Sequence, residues 1–194
     1  MEQYFKHTLA ILKDSLASME DQAFEQLVAE AAETIQKGNK IIASGLGKNV
    51  PICDKFVGSM VSMGLPAYFL HTNSAVHGDL GLVKKDDLVI VLTKSGETVE
   101  SVYLTEHLKK HGANIWLLSF TKESTLTKMI PKKLILELEH EGDLWNIMPN
   151  NSSVLNLIVL QGLAISLAET LGLQLEDFKK NHPGGHIGET LCGK

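Results

Sequence analysis

The sequence predicts an α/β protein, a three-layer α/β/α sandwich built around a parallel sheet of about five strands. Short aliphatic runs recur along the 194 residues, and stretches with helical periodicity separate or follow them. The runs are apolar at consecutive positions, as in residues 87–92 (DLVIVL). Strands that are buried on both faces and alternate with helices are typical of a parallel sheet covered on each side.

The elements follow in order along the chain. Apolar residues recur every three or four positions from residue 4 to residue 35, with a break at residues 18–21, which predicts two helices before the first strand. The predicted strands are residues 40–44, 67–70, 87–92, 114–118 and 133–138, and the later helices are residues 49–63, 98–110 and 152–171. We expect one domain over residues 1–194, with residues 1–37 packing on it as helices.

Composition excludes several classes of protein. The net charge is −5 and the lysines are scattered, which argues against a nucleic-acid surface. Two cysteines, Cys53 and Cys192, are too few for a disulfide framework and lack metal-binding spacing. The N-terminus lacks the features of a signal peptide, and no later stretch reaches about 18 apolar residues. We therefore expect a soluble cytoplasmic protein without membrane partners.

The segment after the first strand could approach a ligand closely. Ser44 ends the predicted strand, and Lys48 stands where a helix starts. Gly45 and Gly47, between them, have no side chain that would keep a ligand away from the backbone. The spacing fits neither a dinucleotide fingerprint nor a P-loop. A simple strand-to-helix turn with a solvated lysine is the alternative.

The segment after the third strand is the best candidate for a phosphate cradle. Residues 93–98 (TKSGET) place three hydroxyls and a glycine before a helix whose N-terminus attracts anions. Ordinary helix capping explains the same residues. Glu97 and Glu100 lie in or near the first turn, where the helix dipole favours carboxylates in any protein, although one of them could be a base.

Histidines supply the candidates for proton transfer near neutral pH. His77 lies in a polar segment of residues 71–81, and His182 and His186 lie near the C-terminus. A His/Asp metal site is conceivable, but no known ligand spacing supports it, so we predict no metal.

Four separated motifs, taken together, resemble the sugar isomerase (SIS) domain, and specifically arabinose 5-phosphate isomerases. They are SGLGKN, HTNSAVHGDLGLV, TKSGETVES and NHPGGHIGETL, which stand in family order across residues 3–191. The resemblance implies a five-stranded parallel sheet and a homodimer or homotetramer with sites between subunits. Arabinose 5-phosphate isomerases usually carry two CBS repeats after this domain; the sequence ends at Lys194, so we expect that regulation to be absent or supplied elsewhere.

The resemblance also implies site residues. The family's catalytic lysine falls on Lys48, its helix-borne glutamate on Glu100, a further glutamate on Glu141, and its histidines on His77 and His182. Its phosphate loop corresponds to Thr93, Lys94, Ser95, Gly96 and Glu97, followed by Thr98, with Ser44, Gly45 and Gly47 in the neighbouring loop.

Four departures from the family pattern put the identity of the sugar in question. The usual Ser-Asn-Ser-Gly-Glu loop carries Thr93 and Lys94 here, and the Lys94 charge could either help bind an anion or point to solvent. Asn49 replaces the serine after the motif lysine, Ser74 replaces the glutamate before Ala75, and residues 149–152 (PNNS) replace Pro-Thr-Ser-Ser.

The implied reaction is aldose–ketose isomerisation through an enediol, without a cofactor. His182 or His77 would help to open the ring, Glu100 or Glu141 would be the carbon base, and Lys48 would stabilise oxyanion charge. Arabinose 5-phosphate and ribulose 5-phosphate are the expected pair; another sugar phosphate, or a non-catalytic phosphosugar sensor, is the alternative.

Overall fold

A computed structural model describes residues 2–192 of the chain, except the side chain of Cys192. Its centre is a five-stranded sheet in the order β2-β1-β3-β4-β5, and every neighbouring pair is parallel. Helices cover both faces, so the predicted three-layer α/β/α fold is confirmed. The strands are β1 (Ile41–Gly45), β2 (Ala67–His71), β3 (Leu88–Leu92), β4 (Asn114–Ser119) and β5 (Lys133–Ile135).

The helices lie close to the predicted ranges, and four of the shorter ones were not predicted. They are α1 (Glu2–Ala17), α2 (Asp21–Gln36), α3 (Asn49–Ser62), α4 (Thr72–Ala75), α5 (Val99–Lys110), α6 (Thr125–Met129), α7 (Asn151–Thr170), α8 (Leu175–Lys180) and α9 (Gly185–Cys192). A 3-10 turn spans Asp79–Leu82. The two N-terminal helices therefore form as the periodicity predicted.

Two hydrophobic cores lie on opposite faces of the sheet. In β3, Leu88 and Ile90 belong to the core under α2, α3 and α7, whereas Val89 and Val91 belong to the core under α5 and α6. Successive side chains of a strand point to opposite faces, so a strand between two cores must be apolar at each position. This explains the continuous apolar run in the sequence.

Helix α7 has the length that the sequence analysis predicted, 20 residues, and it is strongly apolar. Its mean hydropathy is 1.5 over the best 18-residue window, enough by length and composition to cross a membrane. Polar residues interrupt it, among them Asn156 and Gln161, so it is not an unbroken stretch of about 18 apolar residues, and the expectation of no such stretch is not contradicted. Its apolar residues serve packing, because Leu155, Leu160, Leu163 and Leu167 are buried in the core shared with α3.

The last predicted strand is longer than the observed one. Strand β5 stops at Ile135, not at residue 138, because its partner β4 ends at Ser119, leaving the later residues without a ladder.

Candidate active site

The strand order creates one switch point, between β1 and β3. The chain leaves β1 towards the α3 face and leaves β3 towards the α5 face, so the two following loops separate at the carboxyl edge of the sheet. Ligands of open α/β sheets bind in the crevice at such a point. The glycine loop with Lys48 and the loop of residues 93–98 are the two segments that meet there.

The loop after β1 needs its glycines for different reasons. A Cβ on Gly45 would lie 2.7 Å from the Cβ of Asn49, so α3 can start against β1 only because this position is glycine. Gly47 has a φ of +57° and no atom near its missing side chain. Lys48 follows it, exposed, as the N-cap residue of α3. The Ser44 hydroxyl points inward instead, donating to the Leu70 carbonyl oxygen at 2.6 Å.

The loop after β3 is held by its own side chains. The Thr93 hydroxyl accepts the Gly96 N–H at 3.2 Å, and the Ser95 hydroxyl accepts the Glu97 N–H at 3.2 Å. Thr98 is the N-cap residue of α5 and makes no capping hydrogen bond. The first N–H groups of a helix have no intrahelical partner, so the start of α5 presents donors beside these hydroxyls.

Glu97 is engaged within the protein. Its two carboxylate oxygens accept the Thr125 N–H and the Thr125 hydroxyl, each at 2.7 Å. The hydrogen bond from the Thr125 hydroxyl and, to a smaller extent, the one from the Thr125 N–H lower the pKa of Glu97. The carboxylate thus fixes the start of α6 to the loop of residues 93–98, and its charge faces Thr125.

A cleft of about 350 Å³ brings two predicted residues together. Glu100, in the first turn of α5, and the exposed His77 both line it. The remaining lining residues are Thr72, Asn73, Val76 and Tyr103. A carboxylate and an imidazole that share one open cleft beside the loop of residues 93–98 can move protons on a small ligand.

Glu141 lies outside this cleft, in a closed environment. Its side chain has no exposed surface, and the Lys94 ammonium lies 2.6 Å from its Oε1. Burial by itself raises the pKa of Glu141, but the bonds from Lys94 and from the N–H groups of Ser152 and Asn150 outweigh burial and lower it. Lys94 is therefore neither free for an anion nor pointing to solvent alone, which are the two alternatives that the sequence left.

His182 is not brought to the other site residues within one chain. The neighbouring Asn181 side chain donates to the Ser62 carbonyl oxygen at 3.2 Å, at the last residue of α3. Lys48 stands at the opposite end of this 14-residue helix, about 20 Å away at 1.5 Å per residue. His182 stacks on Phe178, with ring centroids 3.9 Å apart.

A larger cavity of about 510 Å³ lies at the other edge of the sheet, where the strands begin. Four of its five charged lining residues are paired with one another, since Glu30 contacts Lys132 and Glu33 contacts Lys37, whereas Asp86 has no ion-pair partner among the described residues. It also lies away from the switch point, so it is a weaker candidate for the site.

The SIS domain family model matches residues 34–166 of the chain. The chain belongs to the SIS domain family. The matched region starts at the end of α2 and reaches most of the way along α7, so it contains the whole sheet and both loops of the switch point.

Relatives of this SIS domain include enzymes with a named activity. The arabinose 5-phosphate isomerase KdsD of Pseudomonas aeruginosa is 32% identical over 190 residues, which are 97% of this chain and 58% of that protein. The KdsD of Yersinia pestis is also 32% identical, over 98% of this chain and 58% of its own length. The chain thus spans somewhat more than half the length of these relatives.

Solved structures share the fold. An Escherichia coli CFT073 protein in complex with arabinose 5-phosphate superimposes with a TM-score of 0.85 at 31% identity, covering 93% of this chain and 95% of that chain. The Vibrio vulnificus NanR protein, complexed with ManNAc-6P, has a TM-score of 0.72 at 17% identity and covers 97% of this chain and 67% of that one. The second likeness shows the fold alone.

Sequence reasoning missed some residues of the cleft. Tyr103 stands three positions after Glu100 on α5, so helical spacing could have indicated it. Thr72 and Asn73 belong to α4, a single turn that no periodicity in so short a segment could reveal. The contact between Lys94 and Glu141 joins residues 47 positions apart, and no sequence pattern signals it.

Proposed function

We propose that this SIS domain is an aldose–ketose isomerase that interconverts arabinose 5-phosphate and ribulose 5-phosphate in the cytoplasm. The proposal depends above all on the cleft shared by Glu100 and His77, because Glu100 lies in the first turn of α5 and Ser95 and Thr98 come just before that turn. The names of the KdsD relatives support the same reaction class.

The phosphate is the part of the substrate that does not react, and binding it would orient the carbons that do. The Ser95 and Thr98 hydroxyls and the N–H groups of the first α5 turn would hold its oxygens. Thr93, Gly96 and Glu97 would act by keeping this loop in shape, through the hydrogen bonds described above.

The chemical step moves one proton between adjacent carbons. Glu100 would remove the proton beside the carbonyl, giving an enediolate, and the protonated carboxyl would return it to the neighbouring carbon, while the proton of the adjacent hydroxyl passes to the former carbonyl oxygen. Lys48 would stabilise the charge on the enediol oxygen, and His77 would transfer the proton that opens the sugar ring.

His182 would act only in the site of another subunit, because its neighbour Asn181 is bound to the C-terminal end of α3, whose other end, at Lys48, is about 20 Å away. An oligomer also fits the surface. Large hydrophobic side chains are exposed along α1, the segment before α7 and the outer face of α7, and together they form an apolar surface: Tyr4, Phe5, Leu9, Leu144, Trp145, Ile147, Met148, Val154, Ile158 and Ile165. An extended apolar surface usually marks an interface.

The test is to incubate the protein with ribulose 5-phosphate in deuterated water and to follow the products by NMR. We expect arabinose 5-phosphate with deuterium at carbon 2. The Glu100→Gln variant should lose turnover by about 10²- to 10⁴-fold and keep ligand binding, because only proton transfer is removed. Glu106→Gln is the matched control, since Glu106 is exposed on the same helix and does not line the cleft.

Two results would count against the proposal. Full turnover in Glu100→Gln would remove Glu100 from the reaction. Binding of ribulose 5-phosphate without conversion, there and with a panel of hexose phosphates, would instead indicate a phosphosugar sensor.

A further inference from the structure

One ion pair joins the phosphate loop to the segment that precedes α7. The Lys94 Nζ lies 2.6 Å from the Glu141 Oε1. The Lys94 side chain is 45% exposed, whereas the Glu141 side chain has no exposed surface. The pair therefore has one partner at the mouth of the switch-point crevice and one in the interior.

The second oxygen of Glu141 holds the start of α7. Its Oε2 accepts the N–H of Asn150 at 3.0 Å and the N–H of Ser152 at 2.9 Å. Backbone donors at a helix start need such an acceptor, and a carboxylate there also meets the favourable end of the helix dipole. Both oxygens thus face protein donors, and neither is open to a substrate carbon.

Lys94 is fixed at its backbone as well. Its carbonyl oxygen accepts the hydroxyl of Ser119, the last residue of β4, at 3.1 Å and the Thr121 hydroxyl at 3.0 Å. The side chain reaches Glu141 from this anchored backbone. Ser95, a proposed phosphate ligand, is the next residue, so its position depends on both attachments.

The other titratable groups beside Glu141 face elsewhere. His140 Nδ1 accepts the Gly142 N–H at 2.9 Å, and the Asp143 carboxylate accepts the N–H groups of Ile147 and Met148. Lys94 is the charged side chain within ion-pair distance of Glu141 among residues 2–192.

We propose that Lys94 and Glu141 form one positioning unit, which fixes the phosphate loop against the start of α7, and that Glu141 is not the carbon base. Glu100, which faces the open cleft, then has that role alone. This inference rests on the proposed isomerase function, and it resolves the choice between two glutamates that the sequence left open.

The experiment is a double-mutant cycle on kcat/KM for ribulose 5-phosphate, with Lys94→Met, Glu141→Gln and the double variant. Members of one unit lose the same interaction, so each single variant should lose at least about fivefold and the double variant no more than the worse single one. Lys94→Arg should recover part of the loss, because the charge is retained. Additive losses, or a Lys94→Met variant equal to wild type, would overturn the proposal.

Two further readouts separate positioning from other roles. With carboxyl-¹³C-labelled glutamate, the Glu141 signal, assigned by its loss in Glu141→Gln, should titrate at higher pH in Lys94→Met than in wild type. A Glu141→Gln variant that loses kcat as completely as Glu100→Gln, with Lys94→Met nearly normal, would make Glu141 the base and contradict the proposal.

Failure of the isomerase function gives a different pattern. Wild type would then convert no sugar phosphate, and the cycle is measured on the Kd for ribulose 5-phosphate by calorimetry. Coupled losses of affinity would support the positioning unit in a binding protein, whereas additive losses, or no binding by wild type, would overturn it.

Discussion

Gly96 lies in the loop of residues 93–98, and two independent structural features favour glycine at this position. Its φ is +69°, and a Cβ built on it would lie 2.1 Å from the Ser124 Oγ and 2.7 Å from the Ser124 Cβ. Ser124 cannot easily move, because its hydroxyl accepts the Thr127 N–H in the capping box of α6. Replacing Gly96 with alanine therefore tests how rigid this part of the site is.

The expected cost has two parts. A left-handed conformation costs an alanine about 1–2 kcal/mol, and forcing a methyl group into a filled space costs about 1–3 kcal/mol more. Gly96→Ala should thus lower the free energy of unfolding by about 2–5 kcal/mol. Gly47→Ala is the matched control, because Gly47 has a φ of +57° and nothing within 4 Å. It should cost only the first part, about 1–2 kcal/mol.

Gly58 supplies a control of the opposite sign. It lies inside α3 with an ordinary φ and has nothing within 4 Å of an added Cβ. Alanine is the better helix former, so Gly58→Ala should stabilise the protein by about 0.5–1 kcal/mol. The expected order of stability is Gly58→Ala, wild type, Gly47→Ala and Gly96→Ala.

Urea unfolding followed by circular dichroism measures all four proteins, and the slope of each transition checks that the unfolding mechanism is unchanged. A Gly96→Ala variant no less stable than Gly47→Ala would contradict the predicted clash with Ser124. It would mean that Ser124 and the start of α6 yield to the new methyl group at little cost.

Two further predictions concern the ends of the sheet and the outer surface. The bonds from Asn114, Lys132 and Trp116 outweigh burial and lower the pKa of Glu30 to about 2, so Glu30→Gln should cost about 2–3 kcal/mol at neutral pH. A carboxyl whose pKa is lower in the folded than in the unfolded state stabilises the fold above the unfolded-state pKa, and this stabilisation is lost as the pH falls towards the folded-state pKa. The cost of Glu30→Gln should therefore shrink below about pH 4.5. Urea unfolding followed by tryptophan fluorescence at about pH 7 and about pH 3 measures this cost, and a cost independent of pH would contradict the prediction. Ile158, 40% exposed on α7, belongs to the apolar surface proposed as an interface, so Ile158→Arg should reduce the mass measured by light scattering. An unchanged mass with normal unfolding would exclude that face of α7 as the interface.

The fold class could be predicted from the sequence alone, because the residue patterns that indicate it are local. The runs at residues 88–92 and 115–118 are apolar at consecutive positions, as a strand covered on both faces requires. The glycines at 45 and 96 and the hydroxyls of residues 93–98 also marked the two loops that meet at the switch point.

The contacts of the charged residues in these loops depend on the tertiary structure. Glu97 and Glu100 are three positions apart in the sequence and looked equivalent, yet one holds Thr125 and the other faces an open cleft. Lys94 and Glu141 meet only because the loops after β3 and β5 end at the same edge of the sheet. Such contacts depend on the packing of segments far apart in the chain, and side-chain chemistry alone does not specify a distant partner.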